Sequence, residues 1–326
     1  MKKDVKSKEF LQKPENFADA FNYYLFNGEQ VIKESDLIDR DAEELIFIGK
    51  SKSGEAYRRL RDLLRSCTIK SDGKTTYLLL GIENQSELHY AMPVKNLLYD
   101  ALDYAGQVKR AADQHNKNAD SLTSAEFLTG FTSEDRLTPV ITLVIYWGDN
   151  EWNAPKSLSE MYSDFDDRLR DYVSDYRINL ITPYDIEDFN KFHSELGEVL
   201  EIIKRQREEN LAESLISEKG LDWTMSRSAV EVINEFTKSK ITTTSKREGD
   251  VKMCRAFEVL EERGEKKGLE KHLIAQICRK LVKGKPVSVI ADELEEPEEN
   301  VARICAIASN FAPEYDAEKI LEKMWG

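Results

Sequence analysis

A pair of acidic residues around one predicted hairpin has the side-chain types and the spacing of ligands for a divalent cation. The apolar segment Thr75 to Ile82 is typical of a strand that is buried on both faces, and it runs directly into Glu83. Asp72-Gly73 is a strong signal for a tight turn before that strand. Asp62 precedes the turn 71–74 by as many residues as Glu83 follows it, so we expect the two side chains to face each other.

The Glu83 carboxylate needs a compensating group, because the end of a buried strand is a poor environment for a charge. Two neighbouring carboxylates also repel each other unless a cation lies between them, and oxygen ligands completed by water suit Mg²⁺. Gln85 points to the same strand face as Glu83 and can orient a water molecule or a phosphate oxygen. A simpler interpretation stays open, in which Asp62 pairs with Arg59 or Arg65 at the surface and Glu83 only ends a strand.

The surrounding segments alternate between predicted helices and strands. Amphipathic patterns predict a helix that opens the fold from about Pro14 to Phe26, and another from Val94 to Val108. Residues 138–147 read as a second central strand, 179–181 as a short last strand and 192–203 as a packing helix. This alternation predicts an α/β fold.

Several stretches resemble the recombination-promoting nuclease and putative transposase family, a branch of the PD-(D/E)xK nuclease superfamily. The most specific stretch is YLLLGIENQSELHYAMPVKNLLYDALDYAGQV at 77–108. The other matching stretches lie at 17–41, 61–65, 138–161 and 175–186. Together they cover most of residues 5–205.

The resemblance implies a restriction-endonuclease-like core, in which helices flank a central mixed sheet of four strands, and a Mg²⁺-dependent DNA endonuclease activity. It assigns Asp62 and Glu83 as the catalytic acids that bind the metal. Gln85 falls where the superfamily usually has a catalytic lysine, and it is uncharged. The charge that a lysine would supply is therefore left to the metal or to a nearby arginine.

Other residues compete with or extend this assignment. Asp41 is an alternative first acid, and Asp19 on the opening helix is a further candidate contributor to the site. Tyr99, Tyr104 and Gln107 resemble the Gln and Tyr side chains that superfamily members turn toward the active site. The alternative is that both tyrosines belong to the core.

Composition narrows the classes of function. The chain has 326 residues and a formal charge of −14, which argues against non-specific coating of nucleic acid. No window approaches the ~18 apolar residues of a membrane helix, and no apolar signal segment follows the N-terminus, so we expect a cytoplasmic protein without a membrane partner. The four cysteines are too widely spaced for a zinc site or a disulfide framework.

The basic residues cluster locally despite the acidic total. Residues 50–74 hold eight basic and three acidic side chains around Asp62, where a phosphodiester would approach. The family resemblance makes DNA the expected partner, and it gives this cluster a function beside the phosphodiester. A basic run is also typical of an ordinary solvated face, and that alternative stays open.

We divide the chain into a nuclease-like domain (1–205), a charged helical linker region (206–250) and a helical C-terminal region (251–326). Residues 271–309 have the pattern of a helix-turn-helix. Glu298 and Glu299 begin its last helix, and phosphates would repel them. This favours protein contacts there, such as formation of a homo-oligomer, over DNA binding.

The leading functional interpretation is a Mg²⁺-dependent DNA endonuclease that promotes DNA recombination. The alternative is a catalytically inactive protein that keeps the nuclease fold and binds DNA or acts as a scaffold. The two differ in whether Asp62, Glu83 and Gln85 converge on one site. A transposase in the strict sense would need a strand-transfer domain, for which the sequence offers no motif.

Overall fold

A computed structural model describes residues 2–40, 62–71, 74–115, 123–241 and 249–325. The chain forms two compact units, Met1–Val251 and Lys252–Gly326. Within the described residues, no helix combines the length and the hydropathy needed to cross a bilayer.

The first unit is built around one sheet. Its strands are β1 (Leu37–Asp39), β2 (Leu63–Ser71), β3 (Lys74–Gln85), β4 (Val140–Tyr146) and β5 (Asn179–Ile181). Its helices are α1 (Lys2–Leu11), α2 (Pro14–Phe26), α3 (Met92–His115), α4 (Ser124–Thr129), α5 (Glu195–Arg205), α6 (Leu211–Lys219) and α7 (Arg227–Thr237). Two short strands, β6 (Thr224–Met225) and β7 (Val251–Lys252), form a separate small sheet. Residues 206–241, predicted as part of a charged linker, thus carry helices within the first unit.

The sheet is mixed, in the order β1-β2-β3-β4-β5. β1 pairs antiparallel with β2 and β2 with β3, whereas β3, β4 and β5 run parallel. Parallel neighbours need a long crossover, and α3 lies in the connection from β3 to β4. The predicted α/β class with a mixed sheet is confirmed, but the sheet has five strands instead of four.

The register of the β2–β3 hairpin is the one predicted from the turn signal. Leu63 lies opposite Ile82, and the ladder continues to the pair Ser71 and Lys74. Asp62 is the residue before this ladder. The same register, extended by one step, would set Asp62 opposite Glu83, with both side chains on one face of the sheet.

Helix α3 covers that face. Its Asp100 is buried, and the carboxylate accepts a hydrogen bond of 2.6 Å from the Thr142 hydroxyl on β4. The Tyr176 hydroxyl donates to the other oxygen of Asp100 at 2.6 Å. Met92, at the start of α3, packs with Val144 of β4 in an apolar cluster. These contacts fix α3 against the sheet.

Helices α1, α2, α5 and α7 belong to the opposite side. Asn84 of β3 donates a hydrogen bond of 2.7 Å to the Ser7 hydroxyl on α1. Trp147, which follows β4, is fully buried and stacks on Phe236 of α7 with 5.5 Å between ring centroids. The core therefore extends on both faces of β3 and β4, as the nearly continuous apolar runs in these strands predict.

Several sequence predictions need correction. Helix α2 does not open the fold, because α1 precedes it. Its apolar residues Phe10 and Leu11 are fully buried, but the ten-residue segment is too polar to give a clear helical stripe. Helix α3 continues to His115, beyond the end predicted at Val108. Asp41 and the basic residues from 50 to 61 lie outside the described residues.

Arg65 does not belong to a DNA-facing basic cluster. It is 4% exposed and lies opposite Leu80, which places it on the face away from Glu83. Its guanidinium donates to Asp39 at 2.5 Å and to the Gln12 carbonyl at 2.6 Å. The proposed pairing of Asp62 with Arg65 is therefore wrong.

We expect Arg65→Gln to lower the free energy of unfolding by about 2 kcal/mol, because it removes buried charge-assisted hydrogen bonds. Equilibrium urea unfolding measures this change. Arg40→Gln is the control, since Arg40 is exposed and its guanidinium donates to the Ser66 hydroxyl at 3.2 Å. Equal stability of the two variants would contradict the structural role of Arg65.

The second unit is helical. Its elements are α8 (Met253–Val282), α9 (Val287–Leu294), α10 (Glu298–Ala308) and α11 (Ala317–Trp325). Buried side chains from all four helices form its core: Ile274, Ile277, Cys278, Ile290, Ala291, Val301, Ile304, Cys305, Ala308, Ile320 and Leu321. The predicted order of helix, turn and helix is present in α8 to α10, and α11 is a further helix within the region predicted to be helical. Its contact with protein or DNA stays a prediction.

Candidate functional site

The Asp62 side chain is hydrogen-bonded to the main chain at the end of β3. The main-chain N–H of Asn84 donates a hydrogen bond of 3.0 Å to Asp62 Oδ2. The carboxylate thus extends the β2–β3 ladder one step beyond the pair Leu63 and Ile82. This bond orients one oxygen of Asp62 and places its carboxylate beside the peptide that links Glu83 to Asn84.

Glu83 is a nearly fully buried carboxylate, with 1% of its side chain exposed. Lys95 Nζ lies 2.7 Å from Glu83 Oε2. Lys95 is in the first turn of α3 and keeps 25% of its side chain exposed. Its ammonium also lies 5.6 Å from the centroid of the Tyr99 ring. A cation–π contact and an ion pair therefore hold the same lysine.

The Asn84 side chain projects to the other face of β3 from the side chains of Glu83 and Gln85. The Asn84 amide accepts a short hydrogen bond from the Trp147 indole N–H and donates to Ser7, on the α1 side of the sheet. Glu83 and Gln85 therefore project to the α3 side. Gln85 is half-buried, and its main-chain carbonyl accepts a hydrogen bond of 2.9 Å from the Trp147 N–H.

His89 lies in the segment between β3 and α3, close to Lys95. Burial lowers the pKa of His89, and the positive charge of Lys95 lowers it further. The imidazole is therefore neutral at pH 7. Lys95 is the cation that this part of the chain directs at Glu83.

Sequence reasoning missed Lys95. A signal was present, because a lysine in the first turn of a helix opposes the positive end of the helix dipole and so suggests an anionic partner. The pattern did not reveal which anion, since Glu83 and Lys95 meet only when α3 is packed on the sheet.

Two other predicted site residues have structural contacts instead. The Tyr104 hydroxyl accepts a hydrogen bond of 3.1 Å from the Val140 N–H. The Gln107 amide forms hydrogen bonds of 2.9 and 2.6 Å to the main chain of Thr138. Both fasten α3 to the entry of β4, and only Tyr99 of the three predicted residues approaches Lys95.

Asp19 also has structural contacts, which are at the start of α5. Its buried carboxylate accepts hydrogen bonds from the main-chain N–H groups of His193, at 3.0 Å, and Ser194, at 2.8 Å. The Ser194 hydroxyl donates to it as well, at 2.7 Å. Ser194 caps α5, so Asp19 ties α2 to the start of that helix.

The site is a set of oxygen donors beside one ammonium. Among the described residues, no group of three or more His, Cys, Asp or Glu side chains is arranged to hold a metal ion. The Asp62 carboxylate is hydrogen-bonded at the end of β3 where Glu83 lies, and Gln85 follows Glu83 on the same strand face. Such a set could coordinate a hard cation only with water or substrate in the remaining positions.

A comparison with known protein families identifies the family of this chain. Residues 2–219, about two thirds of its length, match the family described as putative transposase, YhgA-like. The chain belongs to this family. The matched part of this YhgA-like protein includes the whole five-stranded sheet and α3, and so includes Asp62, Glu83 and Lys95. No curated protein and no solved structure is significantly similar to the chain.

The burial of Glu83 predicts an asymmetry between variants of the ion pair. We expect Lys95→Gln to lower the free energy of unfolding by about 3 kcal/mol, because the carboxylate left behind is buried. Glu83→Gln should lower it by only about 1 kcal/mol, since the Lys95 side chain is one quarter exposed and its ammonium can be hydrated. Urea unfolding without divalent metal measures both.

The double variant Glu83→Gln/Lys95→Gln should be more stable than Lys95→Gln alone. Lys156→Gln is the control, because Lys156 pairs with the exposed Asp185 at 3.3 Å and such surface pairs contribute about 0.5 kcal/mol. A smaller loss for Lys95→Gln than for Glu83→Gln would mean that Lys95 does not stabilise the buried charge.

Proposed function

We propose that this YhgA-like protein is a Mg²⁺-dependent DNA endonuclease that hydrolyses phosphodiester bonds and thereby promotes DNA recombination. Its site would be of the PD-(D/E)xK type. The observation that supports the proposal is the hairpin register, which pairs Leu63 with Ile82 and, extended by one step, would bring Asp62 opposite Glu83 at the end of β3.

The donor set fits Mg²⁺ by its chemistry. Asp62 and Glu83 supply carboxylate oxygens, and Mg²⁺ is usually bound by one or two carboxylates while it keeps several waters. Asp62 Oδ2 accepts the Asn84 N–H, so Asp62 would bind a cation chiefly through its other oxygen. When bound, the ion would lower the pKa of a coordinated water and neutralise charge on the leaving oxygen.

The protein's own groups would position the other reactants. The Gln85 amide can donate to a phosphate oxygen or accept from the attacking water, and its place next to Glu83 on the strand face keeps it near the reacting atoms. Gln85 brings no charge, so the developing negative charge on the phosphate needs a cation from elsewhere. Among the described residues, Lys95 can supply this cation, because its Nζ lies 2.7 Å from Glu83 Oε2.

Among the described residues of the predicted basic cluster, Arg65, Lys70 and Lys74 do not supply phosphate contacts near Asp62. Arg65 is buried on the opposite face. Lys70 and Lys74 are exposed at the turn end of the hairpin, and Lys70 is about 26 Å along the strand from Asp62 at 3.3 Å per residue. Of the described residues of 50–74, none is a base adjacent to Asp62 that could bind the same phosphate.

The ion pair between Lys95 and Glu83 also favours a second candidate function. A lysine that permanently neutralised Glu83 would leave an inactive protein that keeps the fold and binds DNA. The absence of charge at Gln85 points the same way. The two candidates differ in turnover, which one assay measures.

We expect the purified protein to nick supercoiled plasmid with Mg²⁺ and not with EDTA. Asp62→Asn and Glu83→Gln should each lower the rate by at least about 100-fold, because each removes a charged ligand and keeps the side-chain volume. Circular dichroism checks that equal amounts of folded protein are compared. Asp185→Asn is the control, since Asp185 is an exposed carboxylate whose partner is Lys156.

Activity in EDTA, or full activity in both site variants, would rule out the proposed site. A wild-type protein that binds plasmid but never nicks it in Mg²⁺ would establish the second candidate function.

A further inference from the structure

The position of Lys95 is electrostatically costly for its own helix. It lies in the first turn of α3, where the exposed main-chain N–H groups already form the positive end of the helix dipole. The first turn carries no acidic residue to offset this charge. What stabilises Lys95 there is Glu83, at 2.7 Å across the gap between helix and strand.

Glu83 cannot serve Lys95 and a divalent cation at the same oxygen. The ammonium lies on Oε2 of a carboxylate that is 1% exposed, so an arriving metal ion and Nζ would be brought within a few ångströms of each other. Like charges at such a distance repel by several kcal/mol even at an effective dielectric constant of about 20. Metal binding at Glu83 must therefore displace the ammonium.

The displaced ammonium has room to move. Lysine carries its charge on a flexible four-carbon chain, and a quarter of the Lys95 side chain is already exposed. A phosphodiester that reaches the metal brings a new negative charge to the same place. The Gln85 amide next to it leaves that charge without a cationic partner.

We infer that Lys95 is a metal-released cation: it neutralises Glu83 in the metal-free protein and moves to the phosphate when a divalent cation binds Glu83. This inference rests on the proposed nuclease function. Lys95 then has two successive partners, and the metal determines which one it contacts.

Calorimetric titration with Mg²⁺ alone, without DNA, tests the competition. We expect Lys95→Gln to bind Mg²⁺ at least about tenfold more tightly than the wild type, because the competing charge is gone. Lys95→Arg should retain the competition and bind close to the wild-type affinity. Lys109→Gln is the matched control, since Lys109 is exposed on the same helix about 21 Å from Lys95.

Plasmid nicking at saturating Mg²⁺ tests the second contact. Lys95→Gln should nick at least about 100-fold more slowly than the wild type although its metal site is filled, because the phosphate loses its ammonium partner. Tighter Mg²⁺ binding together with slower nicking is the combination that a purely structural lysine would not produce.

Lysine acetylation of the wild-type protein, followed by mass spectrometry, covers the case in which Lys95→Gln does not fold. Without metal the Lys95 amine should react slowly, and Mg²⁺ should increase its rate while the rate at Lys109 stays constant. A Lys95 rate that does not respond to Mg²⁺ would overturn the inference.

The results separate this inference from the proposed function. Unchanged or weaker Mg²⁺ binding by Lys95→Gln, in a wild-type protein that nicks plasmid, overturns the inference alone. Tighter binding with full nicking overturns the contact with phosphate. A wild-type protein that neither binds Mg²⁺ nor nicks DNA overturns the proposed function itself.

Discussion

The register of the β2–β3 hairpin is the constraint on which the candidate site depends. Side chains alternate along a strand, so a register shift of one residue would put Asp62 and Glu83 on different faces of the sheet. The ladder from Leu63 and Ile82 to Ser71 and Lys74 excludes such a slip. The bond from the Asn84 N–H to Asp62 then extends the pairing to the acid itself. Fold and site thus share the same hydrogen bonds.

A second constraint follows from the burial of Glu83. A carboxylate with 1% exposure needs a cation, and the crossover helix α3 supplies one through Lys95. The position of that helix is fixed in turn by Asp100, which binds Thr142 and Tyr176. The Glu83 carboxylate therefore contributes to the stability of the metal-free protein and is also the proposed metal ligand. We expect metal binding to exchange one electrostatic partner of Glu83 for another.

The sequence predicted the parts of this arrangement that depend on local pattern. The turn signal Asp72-Gly73 and the apolar strand after it were enough to predict the register of the β2–β3 hairpin, which the structure has from Leu63 to Ser71. The approach of Asp62 to Glu83 stays a prediction. The contacts of Lys95 and Arg65 could not be predicted from the sequence, since each residue binds a segment that is distant along the chain. Arg65 looked like a surface cation because most arginines are exposed, but Asp39 and Gln12 bind it in the interior.

The proposed function requires that Asp62 and Glu83 bind one divalent cation together. Replacement of Mg²⁺ by Fe²⁺, followed by ascorbate and peroxide, would generate hydroxyl radicals that cut the polypeptide next to the bound ion. We expect cuts near residues 62 and 83, suppressed by excess Mg²⁺ and absent in Asp62→Asn and Glu83→Gln. Cuts confined to other segments, or cuts near these residues that persist in both variants, would contradict it.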